Sequence, residues 1–239
     1  YIEEKAMKRF VICLLALVLL LSTGALPVSA AGKLSVVQEA FYVLPYLDYH
    51  AGYVYAEVRN IGDKPVEFNG GLLELYDPEG NSIEAENYLR CYPDFLDAGE
   101  TGYMYMQQSV KEATDKSFID DYLLTITGKG AKENPVIRMQ TADAKLVTED
   151  SAYWSRSYLY ADVTNTSADI AYEFYVVFAL KDAEGKILYA DSCNPSYVGL
   201  KPDNTVQIRL SVDSDLIEYF AANNITPSTV EAIAYVKQD

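Results

Sequence analysis

The chain has 239 residues, half of them hydrophobic, with 21 tyrosines, one histidine, three cysteines and a formal charge of −16. That much apolar sequence excludes a disordered chain, and 35 acids against 19 bases leave no basic face for a phosphate backbone, which argues against nucleic acid as a partner. One histidine and three cysteines also leave little material for the usual triad and zinc chemistries.

Met7 opens a secretory pattern. Lys8 and Arg9 form a basic n-region, Phe10 to Leu21 is an apolar run, and Val28-Ser29-Ala30 sets small residues before a cut at Ala31. The run has the length of a signal h-region and falls short of the roughly 20 apolar residues that a spanning helix needs. Residues 7–30 are therefore predicted to be a signal peptide, and residues 1–6, with two acids, to precede the natural start. Cys13 leaves with the peptide, and no small-residue lipobox stands at the cut. The expected product is secreted or held at the cell envelope, with no membrane insertion after cleavage.

The remaining sequence repeats itself. Tyr53-Val54-Tyr55-Ala56-Glu57-Val58-Arg59-Asn60 matches Tyr158-Leu159-Tyr160-Ala161-Asp162-Val163-Thr164-Asn165 at an offset of 105. The same offset carries Leu73–Gly80 onto Phe178–Gly185, and a one-residue slip carries Leu96–Thr101 onto Leu200–Thr205. The expected organisation is two tandem domains, 31–128 and 135–239, joined by a polar linker at 129–134.

Within each copy the period is two, which marks half-buried strands. Val54, Ala56 and Val58 share one face of their strand, and Tyr55 lies on the other. Strands are predicted at 34–43, 53–60, 66–76, 82–88, 102–109 and 122–127, then at 136–147, 157–165, 171–181, 186–192, 205–212 and 230–237. Asp77-Pro78-Glu79-Gly80 and Asp182-Ala183-Glu184-Gly185 read as type I turns with a glycine free to take positive φ. One helix is predicted over 215–222, capped by Ser214, with a shorter counterpart over 111–118. Short strands with a turn every ten residues or so predict an all-β fold: two tandem immunoglobulin-like antiparallel β-sandwiches with one short helix in the second.

Leu73-x-Leu75-Tyr76-Asp77 followed by Pro-Glu-Gly, and Phe178-x-Leu180-x-Asp182 followed by Ala-Glu-Gly, resemble the motif that names the FxLYD domains. Val58-x-Asn60, Val163-x-Asn165 and the first copy's Leu96-x-x-Gly99-Glu100-Thr101 fit the same pattern. Leu73 replaces the motif's Phe in one copy, Lys181 replaces its Tyr in the other, and Asp203 stands where Gly is usual. The resemblance implies an exported bacterial β-sandwich module, and it supplies no catalytic residues to carry over.

The residues themselves assemble no catalytic, cofactor-binding or metal-ligating set. His50 sits in an expected loop with no nucleophile turn to partner it. Acidic neighbours such as Asp94 with Asp97 and Asp213 with Asp215 lack the Asp-x-Asp-x-Asp-Gly pattern of a calcium loop. Cys91 and Cys193 fall in similar but non-equivalent places, which favours two separate thiols over a bridge stapling the domains. Tyrosine is the oddity. Tyr55 and Tyr160, opposite the inward face of their strands, are the candidate surface contacts for an extracellular protein or glycan, although tyrosine also fills exposed strand positions readily. The leading expectation is an exported non-enzymatic binding protein without a cofactor. Its rivals are a carboxylate-dependent enzyme acting on extracellular glycans and a structural spacer or assembly subunit.

Overall fold

The computed structural model describes residues 33–150, 155–195 and 199–237. The expected signal peptide at 7–30 lies outside them, as does Trp154. The first half contains β1 (Leu34–Tyr46), β2 (Tyr49–Asn60), β3 (Val66–Tyr76), β4 (Ser82–Glu86), β5 (Phe95–Leu96), β6 (Thr101–Val110) and β7 (Asp121–Gly130). The second contains β8 (Val136–Asp150), β9 (Ser155–Thr164), β10 (Tyr175–Lys181), β11 (Ile187–Cys193), β12 (Thr205–Val212), helix α1 (Ser214–Ala222) and β13 (Thr229–Lys237). All the strand pairings are antiparallel, and the architecture is an all-β sandwich.

In the first half β1-β2-β6 form one sheet, and β3 forms the other with β7 on one edge and β4 and β5 on the opposite edge. In the second half β9 lies between β8 and β12, and β10 lies between β11 and β13. β8 belongs to both layers: Val136–Met139 pair with β13, and Gln140–Asp150 pair with β9. The change of sheet precedes a register irregularity between Ala142 and Lys145, where Asp143 takes φ 51°. Such bulges bend a strand from one layer toward the other.

The alternation read in β2 and β9 decides their inward faces. Val54, Ala56 and Val58 are fully buried with Leu73, Leu75 and Met104. Leu159, Ala161 and Val163 are buried with Phe178 and Leu180. Asn60, the last residue of β2, and Asn165, the first after β9, are fully buried amides with matching partners. Asn60 Nδ2 donates to the Lys64 and Leu96 carbonyls, and Asn165 Nδ2 donates to those of Asp169 and Leu200. Their Oδ1 atoms accept from the Gly62 and Ser167 N–H groups. The Asp77 and Asp182 turns are likewise alike: Gly80 and Gly185 take φ 81° and 79°, and each turn aspartate accepts from the backbone N–H four residues on.

Three boundaries move. Asp213, not Ser214, caps α1, because its carboxylate accepts the Asp215 N–H at 2.9 Å. The counterpart helix shrinks to a 3-10 turn at Lys116–Phe118. Lys129 and Gly130, expected in the linker, pair with Glu67 and Val66, so β7 runs on through them and 131–135 connect the halves.

Tyr55 is a correction. It is only 5% exposed, because the second half covers the outer face of β1-β2-β6. Tyr55 packs on Tyr189 at 5.1 Å, and Tyr42 packs on Phe220 of α1. Tyr42, Leu44, Tyr53, Tyr55 and Tyr103 thus belong to the same hydrophobic core as Phe178 and Tyr189. The period-two pattern puts Tyr55 opposite Val54 and Val58, but periodicity cannot say whether that face meets water or another sheet. Tyr160, at the same place in β9, is half-buried and donates its hydroxyl to Glu149 Oε1 at 2.6 Å.

Candidate ligand-binding cleft

A cleft opens along one side of the seam between the halves. Its first wall is the extended segment Tyr88–Tyr92. Leu89 and Cys91 are buried against the first half's core, Arg90 and Tyr88 are exposed, and Leu89–Tyr92 all line the cleft. The second wall comes from the second half. Tyr175 opens β10 and faces Tyr235 of β13 in register, with the rings stacked at 5.4 Å and 15°. Cross-strand aromatic pairs of this kind hold each other's rotamers. Tyr92 stacks on Tyr105 at 5.7 Å and reaches Tyr175 at 6.3 Å, so the aromatic surface crosses the seam.

Phe68, Leu89 and Gly70 complete a hollow of about 350 Å³. Gly70 takes φ 99° inside the interruption of β3–β7 register between Phe68 and Gly71. No atom lies within 4 Å of where its Cβ would stand, so this bulge leaves open space in the lining. Asp94 also lines the hollow, paired with Lys237 at 2.8 Å across the seam. Lys237 sits 4.8 Å over the Phe95 ring. Beyond Tyr175 and Lys237, which line both, lies a second hollow of about 600 Å³ with Ile170, Tyr172, Asp169 and Glu173 in its lining. Tyr88 and Tyr172 are 70% and 63% exposed.

Of the two cations in the first hollow's lining, Lys237 is held by Asp94 and Arg90 is not. Its guanidinium stands 4.9 Å over the Tyr88 ring and donates to the Tyr88 hydroxyl. Hydrogen bonding to the Tyr92 and Tyr88 phenols holds it in its charged form. Among the described residues no carboxylate pairs with it, whereas Arg138, Lys181 and Lys237 at the same seam are each neutralised by acids. Burial pushes the Cys91 thiol well above its ordinary range, so it carries no thiolate at neutral pH. The first hollow therefore brings together aromatic faces, one unpaired guanidinium and one carboxylate already held by a lysine. It can grip a ring and an anion.

The residues singled out in the sequence lie elsewhere. Tyr55 is inside the seam, and Tyr160 is on the open face of β8-β9-β12. His50 Nδ1 lies 3.0 Å from the Ala113 carbonyl, which ties the β1–β2 hairpin to the chain after β6. Cys91 and Cys193 are separate thiols. Among the described residues no group of three or more His, Cys, Asp or Glu side chains is arranged to hold a metal ion. No helix among them is long and apolar enough to cross a membrane. Tyr88-x-Arg90-x-Tyr92 was a visible signal for the first wall, being a polar-aromatic alternation over buried Leu89 and Cys91. Nothing local in the sequence announces the second wall.

No protein-family model matches the chain, and a search of curated proteins finds no match. Among solved structures, a red sea bream transglutaminase is similar over 85% of this chain and 30% of that one, at 10% identity and a TM-score of 0.23. The chain thus spans under a third of that protein's length, and so low a score bears on neither activity nor ligand.

Proposed function

We propose that this is an exported, non-catalytic binding protein of the cell exterior that holds its ligand in the cleft between its halves. The observation that carries the reading is the half-buried pair Tyr92 and Tyr175, braced by the buried Tyr235, in one lining with Arg90, which no carboxylate pairs among the described residues, and with Tyr172 exposed in the adjoining hollow. Clefts of roughly 300–1,000 Å³ lined by aromatic groups with a few polar anchors are the usual form of a ligand site. Export is proposed on the signal-like stretch at 7–30. The shared partners of Asn60 and Asn165, at the ends of matched strands, support reading each half as one FxLYD-like module.

The test is a binding screen of the exported chain against extracellular glycans and surface proteins, alongside a Tyr175→Ala variant. A ligand whose affinity falls at least tenfold in that variant places binding in the cleft. Ligands held equally well by both proteins would overturn this site.

A further inference from the structure

We infer that the cleft takes a carboxylate-bearing sugar, with its ring on the tyrosine platform and its carboxylate on Arg90. This deepens the binding proposal and rests on it.

Three observations converge. Sugar rings present C–H faces that pack on aromatic rings, and Tyr175, half-buried, braced by the buried Tyr235 and lining both hollows, offers such a ring where two strands meet. Arg90 presents a planar fork of donors beside it, steadied by the phenols of Tyr88 and Tyr92 rather than by an acid. That fork matches the two oxygens of a carboxylate. Finally, a chain of formal charge −16 repels an acidic polymer over most of its surface. The exposed Arg90 guanidinium in the cleft's lining, with no carboxylate partner among the described residues, is the feature by which such a chain would admit one. A basic peptide, in contrast, would meet like charge at Arg90. The second hollow continues past Tyr175, with Glu173 in its lining. A neighbouring neutral ring could donate hydroxyl hydrogens there, so the fit is to an oligosaccharide with the acid at one position.

The experiment is calorimetric titration of the exported chain with glucuronosyl-xylobiose, one hexuronic acid on two neutral rings, and its methyl ester, and with a sialylated lactose and lactose. These arms distinguish hexuronic from sialic acid as the source of the carboxylate. At least one acid should bind about tenfold or more tightly than its neutral counterpart, as expected for one charge-assisted pair. Arg90→Gln should erase that preference, and Tyr175→Ala should weaken binding of acid and neutral forms alike. Thermal melting of each variant checks folding, with Tyr88→Ser as a second probe of the Arg90 setting. Equal affinity for acid and neutral forms, or no effect of Arg90→Gln, would overturn the acidic-sugar assignment while leaving a cleft-binding protein. Binding of a protein or peptide through Tyr175, with no saccharide bound, would do the same. Saccharide binding indifferent to both variants would overturn the cleft itself.

Discussion

The Lys181 ammonium lies 2.9 Å from the Glu57 carboxylate, across the seam, and 2.9 Å from Glu231 within its own half. Tyr103 from the first half also donates to Glu231. Lys181 occupies the repeat position of Tyr76, which in the first half is half-buried and donates to Glu74. The departure from the repeat thus falls where the halves touch. Lys181 is only 8% exposed, and removing one member of a buried ion pair leaves its partner charged and dry. Lys181→Met is expected to lower stability by about 3 kcal/mol, with Glu57→Gln restoring part of it in the double variant. Urea unfolding of the four proteins checks this. Because one core contains Tyr55 and Phe178 alike, the wild type should unfold in a single transition.

Acid should loosen the same seam. Burial alone would raise the Glu100 carboxyl, but the Arg138 guanidinium and the Asp97 N–H outweigh it and hold it below its ordinary 4.5. Glu231 is lowered in the same way, with Tyr103 and Lys181 outweighing burial. A lowered folded pKa contributes stability that is present above the unfolded value and lost as pH falls through the folded one. The urea midpoint should therefore drop below about pH 4.5, and Glu100→Gln should flatten that drop while lowering the plateau at neutral pH.

Asp191 runs the opposite way. Burial raises its carboxyl, against hydrogen bonds from the Ser192 N–H and the Tyr189 and Tyr105 hydroxyls. A raised folded pKa for an acid means stability is lost as pH climbs from the unfolded value, 3.8, through the folded one. Asp191→Asn keeps an acceptor oxygen without the charge. It should raise the melting temperature at neutral pH and leave it little changed at pH values below the unfolded pKa.

The turn before β12 contains a second departure from the repeat. Gly99 takes φ 79°, and its counterpart Asp203 takes φ 59°, each donating its N–H to the matched asparagine, Asn60 or Asn165. Only glycine holds that backbone without crowding its own Cβ. Asp203→Gly should stabilise the protein by about 0.5–1 kcal/mol, whereas Gly99→Asp should destabilise it by a similar amount. Chemical denaturation of both variants gives the two values.

Asn165 is fully buried with its amide fully engaged. Asn165→Ala would strip the Leu200 carbonyl of its side-chain donor and the Ser167 N–H of its side-chain acceptor, costing about 2–3 kcal/mol. Asn60→Ala should cost a similar amount if the two copies are built alike, and the matched pair of unfolding curves tests that equivalence.

The strands were legible because each copy needs a buried stripe, and Val54-x-Ala56-x-Val58 announces one. The two aspartate turns were legible because their bonds are local, from Asp77 to Asn81 and from Asp182 to Lys186. What escaped was every relationship between the halves. Tyr55 and Tyr160 are identical letters in matching strings, and only the covering sheet separates their environments. The cleft escaped for the same reason: Tyr92 and Tyr175 are 83 positions apart in numbering and belong to different halves, yet their rings lie 6.3 Å apart. Arg90 becomes conspicuous only once its seam neighbours are seen to be neutralised.

The stack is also directional. The face of β1-β2-β6 adheres to a sheet that is not its own counterpart, and such head-to-tail contacts have no natural end. A further layer, from another molecule, would have to settle on the exposed side of β8-β9-β12. There the register places Val147 for Tyr42, Glu149 for Leu44, Gln207 for Tyr103 and Arg209 for Tyr105. Polar or charged residues stand at most of those positions on that layer, so the pattern that joins two copies within one chain is not repeated on its outer face.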